Sequence, residues 1–131
     1  MNKKTQWCLV GGGLSFLFAG ILFAFAELPN IMERFTNYPN PFDSRREETF
    51  ITYQLSQDLP VRVRIVDLFG YPVKEFIFSP GETGARTGEN IVKWDGTDAS
   101  GQKVSKGGYI CQVTVEGDRP VRGIRKIGVV H

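Results

Sequence analysis

Two segments in which apolar and polar residues alternate constrain the fold of this chain more than any other feature. In TFITYQL (49–55) and VRVRIVD (61–67), Tyr53, Val63 and Ile65 fall on the apolar side of the alternation. A period of two is typical of a β-strand with one buried and one exposed face. Further short strand patterns follow, separated by turn-forming residues, and no later segment has a helical stripe. The sequence therefore predicts an all-β fold, an antiparallel β-sandwich of about seven strands.

Residues 1–26 have the pattern of a secretory signal peptide. A positively charged start precedes an uncharged run at 8–26, and Ala24-Phe25-Ala26 places small residues where a signal peptidase reads them. The alternative is that the run is retained as a membrane anchor, because its 19 residues can just span a bilayer. Either way the pattern predicts export, to a periplasmic, cell-surface or extracellular location.

The rest of the chain has no net charge. The whole sequence holds 16 basic and 14 acidic residues, and the predicted signal peptide contains two lysines and no acid. Residues 27–131 therefore hold 14 of each, which gives no long-range attraction to nucleic acid or anionic lipid. Contact with a membrane is expected only through 8–26, if that run is retained. We interpret residues 27–36 as a linker and 37–131 as one domain.

The segment NYPNPFD (37–43) leads into the first alternating strand. Its two prolines fix their own φ and disfavour helical backbone at the preceding residues, which predicts an extended path outside the middle of a sheet. We expect Tyr38 and Phe42 to close one end of the sandwich. Periodicity and this lead-in together define a predicted core of Tyr38, Phe42, Tyr53, Val63, Ile65, Trp94, Tyr109, Cys111 and Val113.

The block WDGTDASG (94–101) combines oxygen donors with glycines and so invites a calcium interpretation. An EF-hand loop with Gly101 at its sixth position would need an acid at position 96, where a glycine stands. Turns explain the block better, since Asp and Ser side chains bind nearby backbone and glycine tolerates left-handed conformations. The predicted turn residues are Asp95, Gly96, Asp98 and Gly101.

The residue pattern offers no catalytic constellation. Cys111 is the only cysteine after the predicted signal peptide, and the only histidine is His131, the last residue. A catalytic thiol needs a neighbour that lowers its pKa, so we predict an inert buried thiol, with an intermolecular disulfide as the alternative. Because paired carboxylates and metal-ligand spacings are also missing from the sequence, we expect a non-enzymatic protein without cofactor or metal.

The order of motifs resembles a known family. NYPNPFD is followed by I-x-Y-x-L, by V-x-I-V-D-L-F-G-Y-P-V, and by W-D-G-x-D-x-x-G-x-x-V-x-x-G-x-Y at 94–109. This series resembles the immunoglobulin-like domain of the flagellar hook-capping protein (FlgD type), and it is similar to C-terminal sorting domains of the type IX secretion system. The resemblance covers 37–131 and implies an Ig-like sandwich that serves as a structural or interaction module on secreted and cell-surface proteins.

The expected function is therefore protein–protein interaction or extracellular assembly by a secreted or cell-surface Ig-like module. Its partners would be proteins of the cell envelope or of an extracellular assembly, contacted through strand edges or the polar loop at 79–89. One alternative is a carbohydrate-binding module, which would need a row of exposed aromatic residues on one sheet, where the sequence assigns only Phe50. Another alternative is a sorting or anchoring domain of type IX secretion.

Overall fold

The computed structural model describes residues 30–131, which form seven β-strands in two sheets. This confirms the predicted all-β antiparallel sandwich. The predicted signal peptide, 1–26, lies outside the described residues, and none of residues 30–131 belongs to a helix that could cross a membrane. The strands are β1 (Met32–Tyr38), β2 (Thr49–Leu55), β3 (Val61–Asp67), β4 (Pro72–Phe78), β5 (Gly88–Trp94), β6 (Gly107–Val115) and β7 (Val121–Val129).

The strands form a three-stranded sheet in the order β1-β2-β5 and a four-stranded sheet in the order β4-β3-β6-β7. All pairings between them are antiparallel. The chain changes sheet after β2, β4 and β5, while β3–β4 and β6–β7 are hairpins. The inward-facing side chains of both sheets therefore meet in one interior, as expected of a sandwich.

The interior is formed by the apolar side of each alternating pattern. Tyr53 and Trp94 are its largest buried side chains, and Tyr53 donates its hydroxyl hydrogen to the carbonyl of Gly84 at 2.5 Å. Eight of the nine predicted core residues are buried. They are Phe42, Tyr53, Val63, Ile65, Trp94, Tyr109, Cys111 and Val113.

The prediction that Tyr38 belongs to the core is wrong, because its side chain is 77% exposed. Tyr38 is the last residue of β1 and lies directly opposite Phe50 of β2, whose side chain points to the outer face. Residues directly opposite in an antiparallel pair share a face, so Tyr38 points outward as well. Phe42 alone enters the interior, where its backbone bridges Val129.

The interpretation of residues 27–36 as a linker is wrong for its second half, because β1 begins at Met32. A bulge between Glu33 and Thr36 shifts the register of β1 against β2. An extra residue in a strand breaks the period of two, which explains why the sequence pattern did not reveal this strand. The sandwich domain therefore starts before residue 37.

The β1 and β7 edges close one side of the sandwich against each other. Arg125 donates a hydrogen bond from Nε to the carbonyl of Phe35 at 2.9 Å, and its guanidinium lies 5.6 Å from the centre of that ring. Gly123 permits this approach, because a Cβ there would lie 2.5 Å from the Phe35 side chain. On the other side of the sandwich, β4 and β5 are the edge strands.

Candidate functional site

The turn between β3 and β4, residues 67–72, groups three strongly exposed apolar side chains, among them Phe69, the most exposed large apolar side chain of residues 30–131. Leu68 is 64% exposed, Phe69 88% and Tyr71 69%. Turns are usually built from small and polar residues, and clustered exposed apolar groups mark interaction surfaces. We call residues 67–72 the apolar turn and treat it as the candidate functional site.

Hydrogen bonds with Asp67 define the conformation of the apolar turn. The Asp67 carboxylate accepts hydrogen bonds from the backbone N–H of Phe69 and of Tyr71, both at 2.9 Å. Its own N–H donates to the carbonyl of Tyr71 at 3.0 Å, and Gly70 takes a positive φ of 89°. The turn is therefore preorganised, so its apolar side chains lose little backbone freedom when a partner binds.

The apolar turn lies at the end of the sandwich opposite to the entry of the chain. Leu68 packs beside Gly108 at the start of β6, where a Cβ on that glycine would lie 3.5 Å from the leucine. Ile31 lies at the other end, where its carbonyl accepts a hydrogen bond from Ser56 N–H at 3.1 Å. The turn thus lies at the end of the sandwich opposite to Ile31, near the start of the described residues.

A buried aromatic cluster supports this end of the sandwich from inside. The Trp94 ring lies edge-to-face with Phe42 at 5.6 Å and with Tyr109 at 5.8 Å between ring centres. Trp94 donates from Nε1 to the carbonyl of Thr97 at 2.9 Å, and Tyr109 donates its hydroxyl hydrogen to the carbonyl of Ser105 at 2.6 Å. The rings thus pack in the interior while their polar atoms are satisfied at its border.

The block at 94–101 forms turns that run into β6. The Asp98 carboxylate accepts hydrogen bonds from Ser100 Oγ at 2.6 Å and from Gln102 N–H at 3.0 Å, and these contacts hold its pKa below the usual range. The Asp95 carboxylate accepts from the Thr97 hydroxyl at 2.6 Å, which likewise lowers its pKa. Across residues 30–131 we find no group of three or more His, Cys, Asp or Glu side chains placed to hold a metal.

The glycines of this block take the conformations that turns require. Gly96 has a φ of 80° and Gly101 a φ of 84°. A Cβ on Gly96 would lie 2.6 Å from the Cβ of Ser44, so this position needs glycine both for its backbone and for the space. The structure thus brings the four predicted turn residues together at the end of the molecule that carries the apolar turn.

Cys111 lies on the inner face of β6 with no exposed surface. Burial raises the pKa of its thiol to about 12, so the thiol stays protonated at neutral pH. A protonated, enclosed thiol is neither a nucleophile nor a metal ligand. The arrangement at this position is that of a packing residue.

The loop at 79–89, predicted as a contact surface, is tied to the sandwich at several points. Ala85 is fully buried, and Asn90 accepts hydrogen bonds on Oδ1 from the N–H of Gly84 at 2.9 Å and of Arg86 at 3.2 Å. Asp58 accepts from both the N–H and the hydroxyl of Thr87. Much of the loop therefore serves to carry the chain from one sheet to the other.

The sequence analysis did not identify the apolar turn, because DLFGYP (67–72) entered it only as part of a family motif. The available signal was the composition of the turn, in which Leu68, Phe69 and Tyr71 occupy positions where polar residues are usual. The sequence analysis named Tyr38 and Phe50 but did not predict that they lie opposite each other on β1 and β2.

Comparison with known proteins gives matches at the level of structure. No protein-family model matches this sequence, and no curated relative matches it. Among solved structures, FlgD from P. aeruginosa is similar over 68% of this chain and 66% of its own, with a TM-score of 0.54 and 19% identity. PorZ, an essential bacterial surface component of the type IX secretion system of Porphyromonas gingivalis, is similar over 74% of this chain, with a TM-score of 0.52 and 20% identity.

The chain spans about two thirds of the FlgD chain and about a tenth of PorZ, because the matched shares of those chains are 66% and 11%. At 19% and 20% identity such a likeness shows a shared fold. The comparisons therefore confirm the architecture that the sequence motifs implied, a β-sandwich similar to the FlgD-type Ig-like domain.

Proposed function

We propose that this protein is an exported, non-enzymatic Ig-like module that binds a protein of the cell envelope or of an extracellular assembly through its apolar turn. The observation that carries the proposal is the exposure of Leu68, Phe69 and Tyr71 on a turn that hydrogen bonds hold rigid. Aromatic side chains at the centre of protein interfaces contribute much of the binding free energy, and a rigid turn lowers the entropy lost on binding.

The position of the apolar turn supports the same proposal. Ile31 lies at the opposite end of the sandwich, so a domain tethered through the residues before it would present the turn outward. The near-zero net charge of residues 27–131 favours an apolar contact over a long-range electrostatic one. FlgD and PorZ share the fold, and PorZ is a bacterial surface component of a secretion system, which supports an envelope assembly as the setting.

Site-specific photocrosslinking in the source cells tests the proposal. A benzoylphenylalanine in place of Phe69 is expected to give a discrete adduct, whereas the same group in place of Ile77 is not. Ile77 is a matched control, because it is 68% exposed but lies on β4 outside the turn. The adduct should weaken when Leu68 is changed to Ser in the same chain. Equal adducts at both positions, or none at Phe69, would contradict the proposal.

Export is tested separately by mass spectrometry of the mature N-terminus. Cleavage after Ala26 predicts a chain that begins at Glu27 in the periplasmic or extracellular fraction. An intact N-terminus in the membrane fraction would instead support the retained anchor at 8–26. A chain confined to the cytoplasm would contradict both interpretations.

A further inference from the structure

The outer face of the three-stranded sheet carries an exposed aromatic pair that the apolar turn does not use. Tyr38 of β1 lies directly opposite Phe50 of β2, which in turn lies opposite Lys93 of β5. The tyrosine is 77% exposed and the phenylalanine 38%. Side chains directly opposite in an antiparallel pair lie about 5 Å apart at Cβ, so the two side chains are neighbours on this face. The Lys93 ammonium lies over the Phe50 ring, 5.8 Å from its centre, so Tyr38 is the more open ring of the pair. An exposed ring of this kind offers a surface on which a sugar ring can stack.

Beside this aromatic pair, the same face holds a shallow depression of about 240 Å³. Its lining residues are Arg34, Thr36, Thr52, Tyr53, Gln54 and Glu89. The side chain of Tyr53 is buried in the interior. The other lining residues offer hydroxyl, amide, carboxylate and guanidinium groups, the hydrogen-bonding groups that match sugar hydroxyls. The ion pairs of the described chain involve other residues, so the charged groups of this depression are available to a ligand.

The backbone of β1 is distorted where it enters the depression. Arg34 has a φ of 52° and is the one non-glycine residue among 30–131 with a positive φ, and it lies within the bulge between Glu33 and Thr36. Bulges re-aim side chains, and left-handed non-glycine residues concentrate at binding sites. Arg34, at this distortion, is one of the residues that line the depression.

The dimensions and charges of the face indicate which ligand it fits. Phe50 and Gln54 lie four positions apart on β2, about 14 Å along the strand. The face holds two basic residues, Arg34 and Lys93, and two acidic ones, Glu33 and Glu89, so it carries no net charge that would select an anion. The negative face of an aromatic ring attracts the C–H bonds of a pyranose, while polar groups bind its hydroxyls.

We propose that the outer face of β1-β2-β5 binds a short, neutral oligosaccharide, with one sugar ring stacked on Tyr38 and Phe50 and the next hydrogen-bonded in the depression that contains Arg34. This binding site is distinct from the apolar turn, which lies on the β3–β4 hairpin of the other sheet.

Isothermal titration calorimetry on the full chain, held in a detergent without a sugar head group, tests the proposal. The probes are hexasaccharides of β-1,4-linked glucose, β-1,4-linked N-acetylglucosamine and α-1,4-linked glucose. At least one probe is expected to bind, and Tyr38→Ala and Phe50→Ala are each expected to weaken its binding by about tenfold. Tyr71→Ala is the matched control, because this tyrosine is similarly exposed, at 69%, and lies on the apolar turn.

Arg34→Gly separates binding from folding. Glycine accepts the φ of 52° without strain, so the variant should keep its melting temperature while its affinity for the probe falls. Absence of binding by all three probes would overturn the proposal, as would binding that Tyr38→Ala and Phe50→Ala leave unchanged. Concentration-dependent dimerisation in sedimentation velocity that Tyr38→Ala abolishes would overturn it too, because the face would then bind a second copy of the chain.

Discussion

Two groups of large apolar side chains lie at the same end of this sandwich and have opposite environments. Phe42 and Trp94 are each 1% exposed and pack edge-to-face, whereas Phe69 and Tyr71 are 88% and 69% exposed on the apolar turn. Both groups are framed by turns that an aspartate holds. The difference lies in position, since Trp94 on β5 and Phe42 beside Val129 face the interior between the sheets, while the turn extends beyond both sheets.

This contrast separates stability from recognition within one end of the molecule. Truncating a buried ring removes packing from every neighbour and leaves a cavity, which costs folding free energy. Truncating an exposed ring leaves no cavity and changes only the surface that a partner can bury. The buried cluster should therefore control the stability of this end of the sandwich. The apolar turn should control which partner this end binds.

The largest effect is expected for Trp94→Ala, which should lower the free energy of unfolding by about 3–5 kcal/mol. Trp94 is 1% exposed and contacts the rings of Phe42 and Tyr109, so its removal empties the centre of the cluster. Urea unfolding followed by circular dichroism measures the change. A midpoint equal to that of the wild type would refute the core assignment.

A smaller loss, about 2–3 kcal/mol, is expected for Gly96→Ala. The new Cβ would meet both a φ of 80° and the Cβ of Ser44 at 2.6 Å. Gly101→Ala is the matched control, because its φ is 84° but nothing lies within 4 Å of the added Cβ. Gly101→Ala should lose only the free energy that the strained backbone costs, about 1 kcal/mol. Equal losses in thermal melting would show that the contact with Ser44 has no effect.

Acid should weaken the turn that Asp98 holds. Hydrogen bonds from Ser100 and Gln102 lower the pKa of Asp98 in the folded chain, so these contacts stabilise the fold above the unfolded pKa of about 3.9. That contribution is lost as the pH falls through the lower, folded pKa.

The charge-free variant Asp98→Asn keeps an acceptor oxygen but cannot ionise. The decline of its melting temperature between about pH 5 and pH 2 should be shallower than that of the wild type. Asp98→Ala, which lacks the acceptor, should be less stable across the whole range. Identical slopes for wild type and Asp98→Asn would contradict a stabilising role of the charge.

The smallest effect on folding is expected for Phe69→Ala, which should change the free energy of unfolding by less than about 0.5 kcal/mol. The side chain is 88% exposed and the hydrogen bonds of the turn use backbone and Asp67, which the change leaves intact. Thermal melting together with partner crosslinking from a neighbouring position measures both properties. A large loss of stability would show that the turn supports the core and would remove the contrast with Trp94.

The strand pattern and the buried cluster could be predicted from sequence because they rest on local signals. Alternation in β2 and β3 identified Tyr53, Val63 and Ile65 as inward, and the structure buries all three. The candidate site could not be derived in this way. A turn is recognised from its residue types, but the exposure of Leu68 and Phe69 depends on what lies around the turn, and alternation says nothing of that.

The sequence by itself determined the class of this protein: short alternating strands, glycine and aspartate at the turns, and a tryptophan on an inward position. Only the tertiary structure decided the register of β1, which local periodicity could not reveal because a bulge interrupts it and the polar Asn37 occupies a buried position. That register turned Tyr38 outward beside Phe50 and left Phe42 alone to enter the interior. The physical reason is that periodicity defines two faces of a strand, whereas pairing with a distant strand decides which face is covered.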